Sequence, residues 1–410
     1  MRRLRRIRTA LGARGARRRS AGAMPGTIVI AGSVAQKPCH GGHTWVFLQY
    51  ALGLRRLGWD VVFLDRLEPG MCVDQAGRFC PAARSLNVRY FRDVMKRFGF
   101  SGSYALFAHE NGREETYGLD RRRTLALVRD SALLLNVMGF LTDEEILGAA
   151  RRRVFLDIDP GFGQMWRALE QADVFAGHDD FVTIGRNVGR SDCAIPTCGL
   201  EWITTDQPIV LEQWPVAPPL DAPFTSIGAW RGPYSPIDYQ GVSYGLRVHE
   251  FRRFAELPRL SGRAFEIALD IDAGERADLA LLAQGGWSLV APRQAAADPW
   301  AYRRFVQRSG AEFMVAKNMY VRSNSGWFSD RSICYLASGR PVITQDTGFD
   351  GLYPTGTGLL VFRTLEEARA AVEEVCMDRV RHAHAARAIA EECFDSDRVL
   401  GRLLSALGVG

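Results

Sequence analysis

Short β-branched runs alternate along this chain with stretches whose apolar residues return every three or four positions. Thr27–Ala31 (TIVIA) has the make-up of a strand buried on both faces, and 60–65 (DVVFLD) is a second such run. Between them Trp45, Leu48, Leu52 and Leu57 recur at near-helical spacing, from an N-cap at Thr44 to a stop at Gly58. Strand, Gly-containing loop, helix and strand make a right-handed βαβ unit. The loop lacks GxGxxG, so it is no dinucleotide fingerprint. Runs at 132–138 (ALLLNVM), 153–158 (RVFLDI) and 181–184 (FVTI) predict further strands, with helical patterns such as 87–98 and 142–151 between them. Such alternation puts ligands at the carboxyl ends of the strands. The residues expected there are His40, Gly42, His43, Asn136, Gly139, Asp159, Gly161 and Asn187.

Near Pro208 the pattern changes. The stretch 207–223 (QPIVLEQWPVAPPLDAP) carries five prolines and reads as an interdomain linker. A strand restarts at Phe224 (FTSIGAW) and ends in Arg231-Gly232. A weakly patterned loop leads to a helix at 249–255, strands at 265–269 and 287–290, and a helix at 300–308. The segment 313–360 then reads strand, Ser/Asn/Gly turn at 323–326, short helix closed by Gly339 and Pro341, strand, and the polar turn Gln345-Asp346-Thr347-Gly348. Such helix N-termini hold anions, because unpaired N–H groups and the helix dipole both favour negative charge. Thr364 caps an amphipathic helix at 365–375, and 381–407 is almost continuously helical, broken near 394–396. The division that follows is a basic tail (1–23), an N-terminal α/β domain (24–213), a linker (214–223), a C-terminal α/β domain (224–380) and closing helices (381–410).

Composition adds bounds. At 410 residues the chain is too long for one ordinary core. No run reaches the roughly 18 apolar residues of a membrane span. The net charge of +6 lies in the tail, where residues 1–23 hold nine arginines and no acid. The remainder has 43 basic against 46 acidic side chains, which argues against a nucleic-acid surface. The tail is a disordered arm, a targeting peptide, or a segment ahead of a start at Met24. The eight cysteines form no CxxC, and with no cluster at ligand spacing they read as reduced thiols of a cytoplasmic protein.

The segment 313–362 carries a resemblance. Ser325-Gly326-Trp327-Phe328-Ser329 resembles part of the donor box of plant-type glycosyltransferases. Leu336-Ala337-Ser338-Gly339-Arg340-Pro341-Val342-Ile343 is similar to the small-Gly-basic-Pro-Val-Ile segment of family 4 enzymes, and Gly358-Leu359-Leu360 to their usual ending. The chain thus resembles a glycosyltransferase of the GT-B fold, two Rossmann-like domains facing a cleft, with a C-terminal helix crossing back to the first. Family 4 enzymes carry two glutamates whose positions here are Gly326 and Cys334, so the resemblance passes the ribose contact to Asp330. It implies a UDP- or GDP-type sugar donor touched by Gln345, Asp346, Thr347 and Gly348, and no other cofactor. The acceptor is a glycan, a lipid-linked molecule or a small molecule, lying near Gly41, Gly42, Asn136 and Asp159. The expected place is the cytoplasm, with peripheral contact at the inner membrane face; no oligomeric state follows.

The chemistry asks for fixed positive potential at the departing diphosphate. The amides of Ser325, Gly326, Trp327, Phe328 and Ser329, with Lys317 and Arg231 as cations, fill that need, and no metal is required. An inverting reaction also needs a base, for which His43, then His40, is placed in the first loop. Asp157 and Asp159 form a DxD at a strand end; Asp159 is either a turn residue before Pro160 or an acceptor-side group. A GT-B epimerase or phosphorylase, or an inactive nucleotide- or glycan-binding protein, are the alternatives.

Overall fold

The computed structural model describes residues 26–110 and 112–409; the basic tail and Met24 lie outside them. The apolar runs build two sheets. In the first, β1 (Thr27–Ala31) pairs in parallel with β2 (Asp60–Leu67), Val29 opposite Val62. Outside β2 lies β3 (Tyr104–Glu110), followed by the antiparallel edge strand β4 (Arg113–Gly118). On the other side of β1 come β5 (Leu133–Val137), β6 (Arg153–Asp157), β7 (Asp180–Thr183) and β8 (Trp202–Thr204), all parallel. The order 4-3-2-1-5-6-7-8 reverses direction between β1 and β5, where a doubly wound sheet opens its ligand crevice.

The second sheet is wholly parallel. It contains β9 (Phe224–Ala229), β12 (Phe265–Asp270), β13 (Trp287–Val290), β14 (Ala311–Met314), β15 (Val342–Gln345) and β16 (Leu359–Phe362), in the order 13-12-9-14-15-16. A small hairpin, β10 (Ile237–Tyr239) with β11 (Val242–Tyr244), sits in the weakly patterned loop. The strands of this sheet are short and mostly buried, as expected where helices cover both faces.

The chain then returns to its beginning. The Arg379–Ile389 helix passes through a π-turn at Ala390–Phe394 into the Ser396–Ala406 helix. That last helix lies against the Gly41–Arg56 helix, where a Cβ on Gly53 would stand 2.5 Å from Leu400. Arg56 grips Asp397 through two bonds of 2.9 and 3.0 Å. The expected architecture, two doubly wound domains bridged by a crossing C-terminal helix, is present.

Two local expectations need correction. The first helix begins at Gly41, with His40 in the N-cap position, rather than after Thr44. Its opening glycines face the second domain, not a loop: a Cβ on Gly41 would lie 2.1 Å from the Asp298 carbonyl oxygen, and one on Gly42 2.7 Å from the Tyr302 ring. Only glycine permits that approach. Trp45 on the same helix is fully buried, donates to the Pro299 carbonyl at 2.8 Å and packs on Trp214. An indole buried this way contributes on the order of 2–3 kcal/mol. The other correction is the β3–β4 hairpin, which the apolar pattern did not predict. Its outer strand, REETYG, is an exposed polar edge. Among the described residues, no helix is long and apolar enough to cross a membrane.

Candidate functional site

Residues just beyond the carboxyl ends of strands in the two sheets meet one another. From the first domain, Asn187 follows β7 and donates its side-chain amide to the carbonyls of Asn324 (3.0 Å) and Gly348 (2.8 Å). Its backbone N–H reaches Ser325 O at 3.1 Å. Asp159, beyond β6, receives the Lys317 ammonium at 2.5 Å and the Tyr320 hydroxyl. Lys317 also lies over the rings of Phe162, Tyr234 and Tyr320 at 5.2–5.5 Å, so the ion pair has aromatic walls. Lys37, on the loop after β1, borders the same pair: burial and Lys317 lower its pKa below the usual lysine range, while Asp159 pulls it upward. Two of the chain's three lysines therefore share one carboxylate at the cleft.

At the carboxyl end of β9 stands a cation that sequence reasoning missed. Arg247 opens the short Arg247–Phe251 helix and lays its guanidinium across the end of β9. A Cβ on Gly228 would be 2.3 Å from its Nη1, so the glycine makes the space. Among the described residues Arg247 has no carboxylate partner; its one contact is the Ile227 carbonyl at 3.4 Å, too long for a firm bond. Burial first, then the neighbouring Arg331, lowers its pKa to about 10. Arg331 is different: it is buried in an ion pair with Glu312 at 2.5 Å and also donates to Ile227 O at 2.6 Å. No local spacing marks Arg247. The glycine in the preceding strand, Ile227-Gly228-Ala229, is the signal that could have pointed to it.

The sequence-derived donor residues divide into three groups. Lys317 is at the cleft, whereas Arg231 is exposed and tied to Glu275, in a surface network with Asp278 and Arg252. Of the amides, Gly326 N–H is taken by Thr347 O and Trp327 N–H by Ser325 Oγ. Those of Phe328 and Ser329 have no partner among the described residues. Ser325 is buried and bonds Tyr320 O, and Trp327 stacks on Tyr320 at 4.3 Å. Phe328 stacks on Phe394, an anchor for the returning C-terminal segment. Ser329 caps the Asp330–Ala337 helix.

Asp330 opens that helix and lines a cavity of about 10 Å³ with Trp45, Val46, Gln49, Gln207 and Pro208 of the first domain. Burial pushes its carboxyl up, while Arg331 and Arg247 oppose the shift. Gln345 is buried and donates to Glu250 at 2.6 Å. Asp346 is held by Arg363 at 2.6 and 2.9 Å. Thr347 Oγ1 donates to Trp327 O, and a Cβ on Gly348 would strike Asn324 Oδ1 at 1.9 Å. The 345–348 turn is therefore packed directly under the 324–327 turn.

On the acceptor side His43 is half-buried between Phe47 and Phe140, with Nε2 2.9 Å from Ser33 Oγ and 3.2 Å from Ser33 O. Burial, with Lys37 adding to it, lowers its pKa to about 3. His40 is exposed and its Nδ1 meets Pro38 O at 2.9 Å. Asn136 serves its own domain, bonding both backbone groups of Leu141 and the His178 ring. Asp157 does the same, its carboxyl raised to about 6 by burial and bonded by Gln164 and Thr183. Among the described residues no group of three His, Cys, Asp or Glu side chains is placed to hold a metal ion.

Comparison with known proteins bears on the fold. Residues 253–404 match the family described as glycosyl transferase-like. No curated protein matches the chain in sequence. An α-glucosyltransferase solved with UDP-glucose and abasic-site DNA superimposes with a TM-score of 0.57 at 11% identity, over 93% of this chain and 98% of that one. HepE of Anabaena, solved in complex with UDP, gives 0.51 at 13% identity over 93% and 99%. Sucrose-phosphate synthase of Thermosynechococcus elongatus gives 0.50 at 11% over 93% and 99%. The fold is the GT-B glycosyltransferase fold, and its second domain carries the glycosyl transferase-like match.

Proposed function

We propose that this GT-B glycosyltransferase moves a sugar from a UDP- or GDP-type donor to an acceptor hydroxyl without a metal ion. The observation that carries the reading is Arg247, a guanidinium with no ion-pair partner among the described residues, at the carboxyl end of a central strand of the second sheet. Its charge, the Lys317 ammonium and the free amides of Phe328 and Ser329 supply positive potential for a departing diphosphate. Lys317 exchanges Asp159 for phosphate when the donor enters. Asp330 receives ribose hydroxyls, and the 345–348 turn borders the sugar. His43, held neutral, accepts a hydrogen bond from the acceptor hydroxyl at Nδ1. With its pKa so far below neutrality it positions that hydroxyl more than it takes the proton. The acceptor is a glycan, a lipid-linked molecule or a small molecule.

A thermal-shift panel of nucleoside diphosphates and nucleotide sugars tests the donor half, since a ligand that binds only the folded state raises its stability. Stabilisation by a uridine or guanosine diphosphate is expected; no shift with any member sinks the reading. Release of nucleoside diphosphate that depends on an added acceptor then distinguishes a transferase from an epimerase.

A further inference from the structure

A second groove lies apart from the cleft residues described above. About 700 Å³ of space opens along one side of the Leu86–Arg97 helix, walled by Ser85, Val88, Ser101 and Tyr104. Four cations line it: Arg84, Arg89, Arg92 and Lys96. All four are exposed, and among the described residues none makes an ion pair or a side-chain hydrogen bond. The one acid there, Asp93, is occupied by Arg97 at 3.1 Å. Elsewhere arginines are routinely matched with carboxylates, as at Arg121, Arg152 and Arg153. Here four bare cations share one groove, in a chain whose part beyond residue 23 has more acids than bases.

The groove also leads somewhere. The helix that carries these cations is tied at its first turns to the cleft-side loop after β1 and to the Gly41–Arg56 helix: Asn87 donates to the Ala35 carbonyl at 2.8 Å, and the Tyr90 and Thr44 hydroxyls meet at 2.8 Å. Along the helix, Arg89, Arg92 and Lys96 stand at about 0, 4.5 and 10.5 Å, from a rise of 1.5 Å per residue. That ladder fits successive anionic groups on an extended ligand, and a groove of this volume suits an oligomer better than a flat bilayer surface.

We infer that the acceptor is an anionic oligomer, a glycan carrying phosphate or carboxylate groups, whose body lies on Arg84, Arg89, Arg92 and Lys96 while its end enters the cleft. The inference rests on the transferase reading, and its test separates the two. Binding of a tetra-uronate, of tripolyphosphate and of a neutral tetrasaccharide is measured by calorimetry on the full chain at low and physiological ionic strength. At least one anionic probe is expected to bind in a salt-sensitive way, with the neutral sugar failing. The Arg89→Glu/Arg92→Glu/Lys96→Glu chain should bind the anionic probe about tenfold or more weakly. Its thermal shift with nucleoside diphosphate should be unchanged, because these side chains lie outside the donor site. The groove assignment is overturned if neither anion binds at millimolar concentration, if the neutral sugar binds equally, or if the charge-reversed chain keeps its affinity. It is also overturned if anionic vesicles or duplex DNA bind through these residues while the oligomers do not. Absence of any nucleotide response in the parent chain strikes the donor reading instead.

Discussion

Replacing Arg247 with Met should raise stability and lower donor affinity at once. The guanidinium is part-buried with no carboxylate bonded to it among the described residues, and its folded pKa of about 10 lies well below the ordinary arginine value. A base whose pKa is depressed in the folded state is protonated in both states at neutral pH and disfavours folding there. Linkage puts that burden at roughly 3 kcal/mol at most. Methionine keeps most of the side-chain volume and removes the charge, so part of this strain is recovered, about 1–2 kcal/mol, and Tm rises by roughly 1–4 °C. In the donor complex the same charge makes hydrogen bonds to phosphate worth about 1.5–3 kcal/mol, or roughly 10- to 150-fold in Kd. Differential scanning calorimetry of the free protein and titration with UDP and GDP read the two effects separately. A lower Tm with unchanged nucleotide affinity would show that Arg247 is a packing residue and refute the reasoning.

Lys317→Met should weaken diphosphate binding by about tenfold; an unchanged Kd removes Lys317 from the site. For His43, the unfolded imidazole binds a proton below about pH 6.5 and the folded one only near pH 3, so its contribution to stability is lost as pH falls through that window. Urea denaturation at pH 7 and pH 5 should show up to about 2 kcal/mol of this loss, flattened in His43→Gln; identical profiles for the two chains contradict the burial argument. Gly41→Ala places a methyl against the Asp298 carbonyl and should cost about 1–3 kcal/mol by prising the domains apart. Small-angle scattering should then show an expanded molecule, and unchanged dimensions and Tm would deny the close approach.

How much of this was legible beforehand depended on the range of the interaction involved. Buried strands such as β1 and β6 announce themselves because parallel sheets demand continuous apolar runs. The outer hairpin strand does not, since a solvent-facing edge needs no apolar face; the Asn111-Gly112 pair was the available signal. Gly41 and Gly42 were read as a loop because the residues that require them to be glycine lie more than 250 positions away. Arg231 stands out in the sequence for its place at a strand end, whereas nothing in the local sequence singles out Arg247. The fold gives Arg231 a partner in Glu275 and leaves Arg247 without one. Lys317 was recognisable as one of few lysines, but its pairing with Asp159 joins two domains and has no local trace.

The return of the last helix to the first has a consequence for biosynthesis. The Gly41–Arg56 helix is completed by Leu400 and Asp397, and Ile209 is bridged to Asp395. A ribosome that has finished the whole first domain has therefore not yet delivered a wall of its core. The nascent domain waits, with Leu54 and its neighbours uncovered, until the Ser396–Ala406 helix has been translated and has left the exit tunnel. Stalls or frameshifts ahead of codon 396 should consequently leave the first domain exposed as a region that chaperones hold and proteases attack.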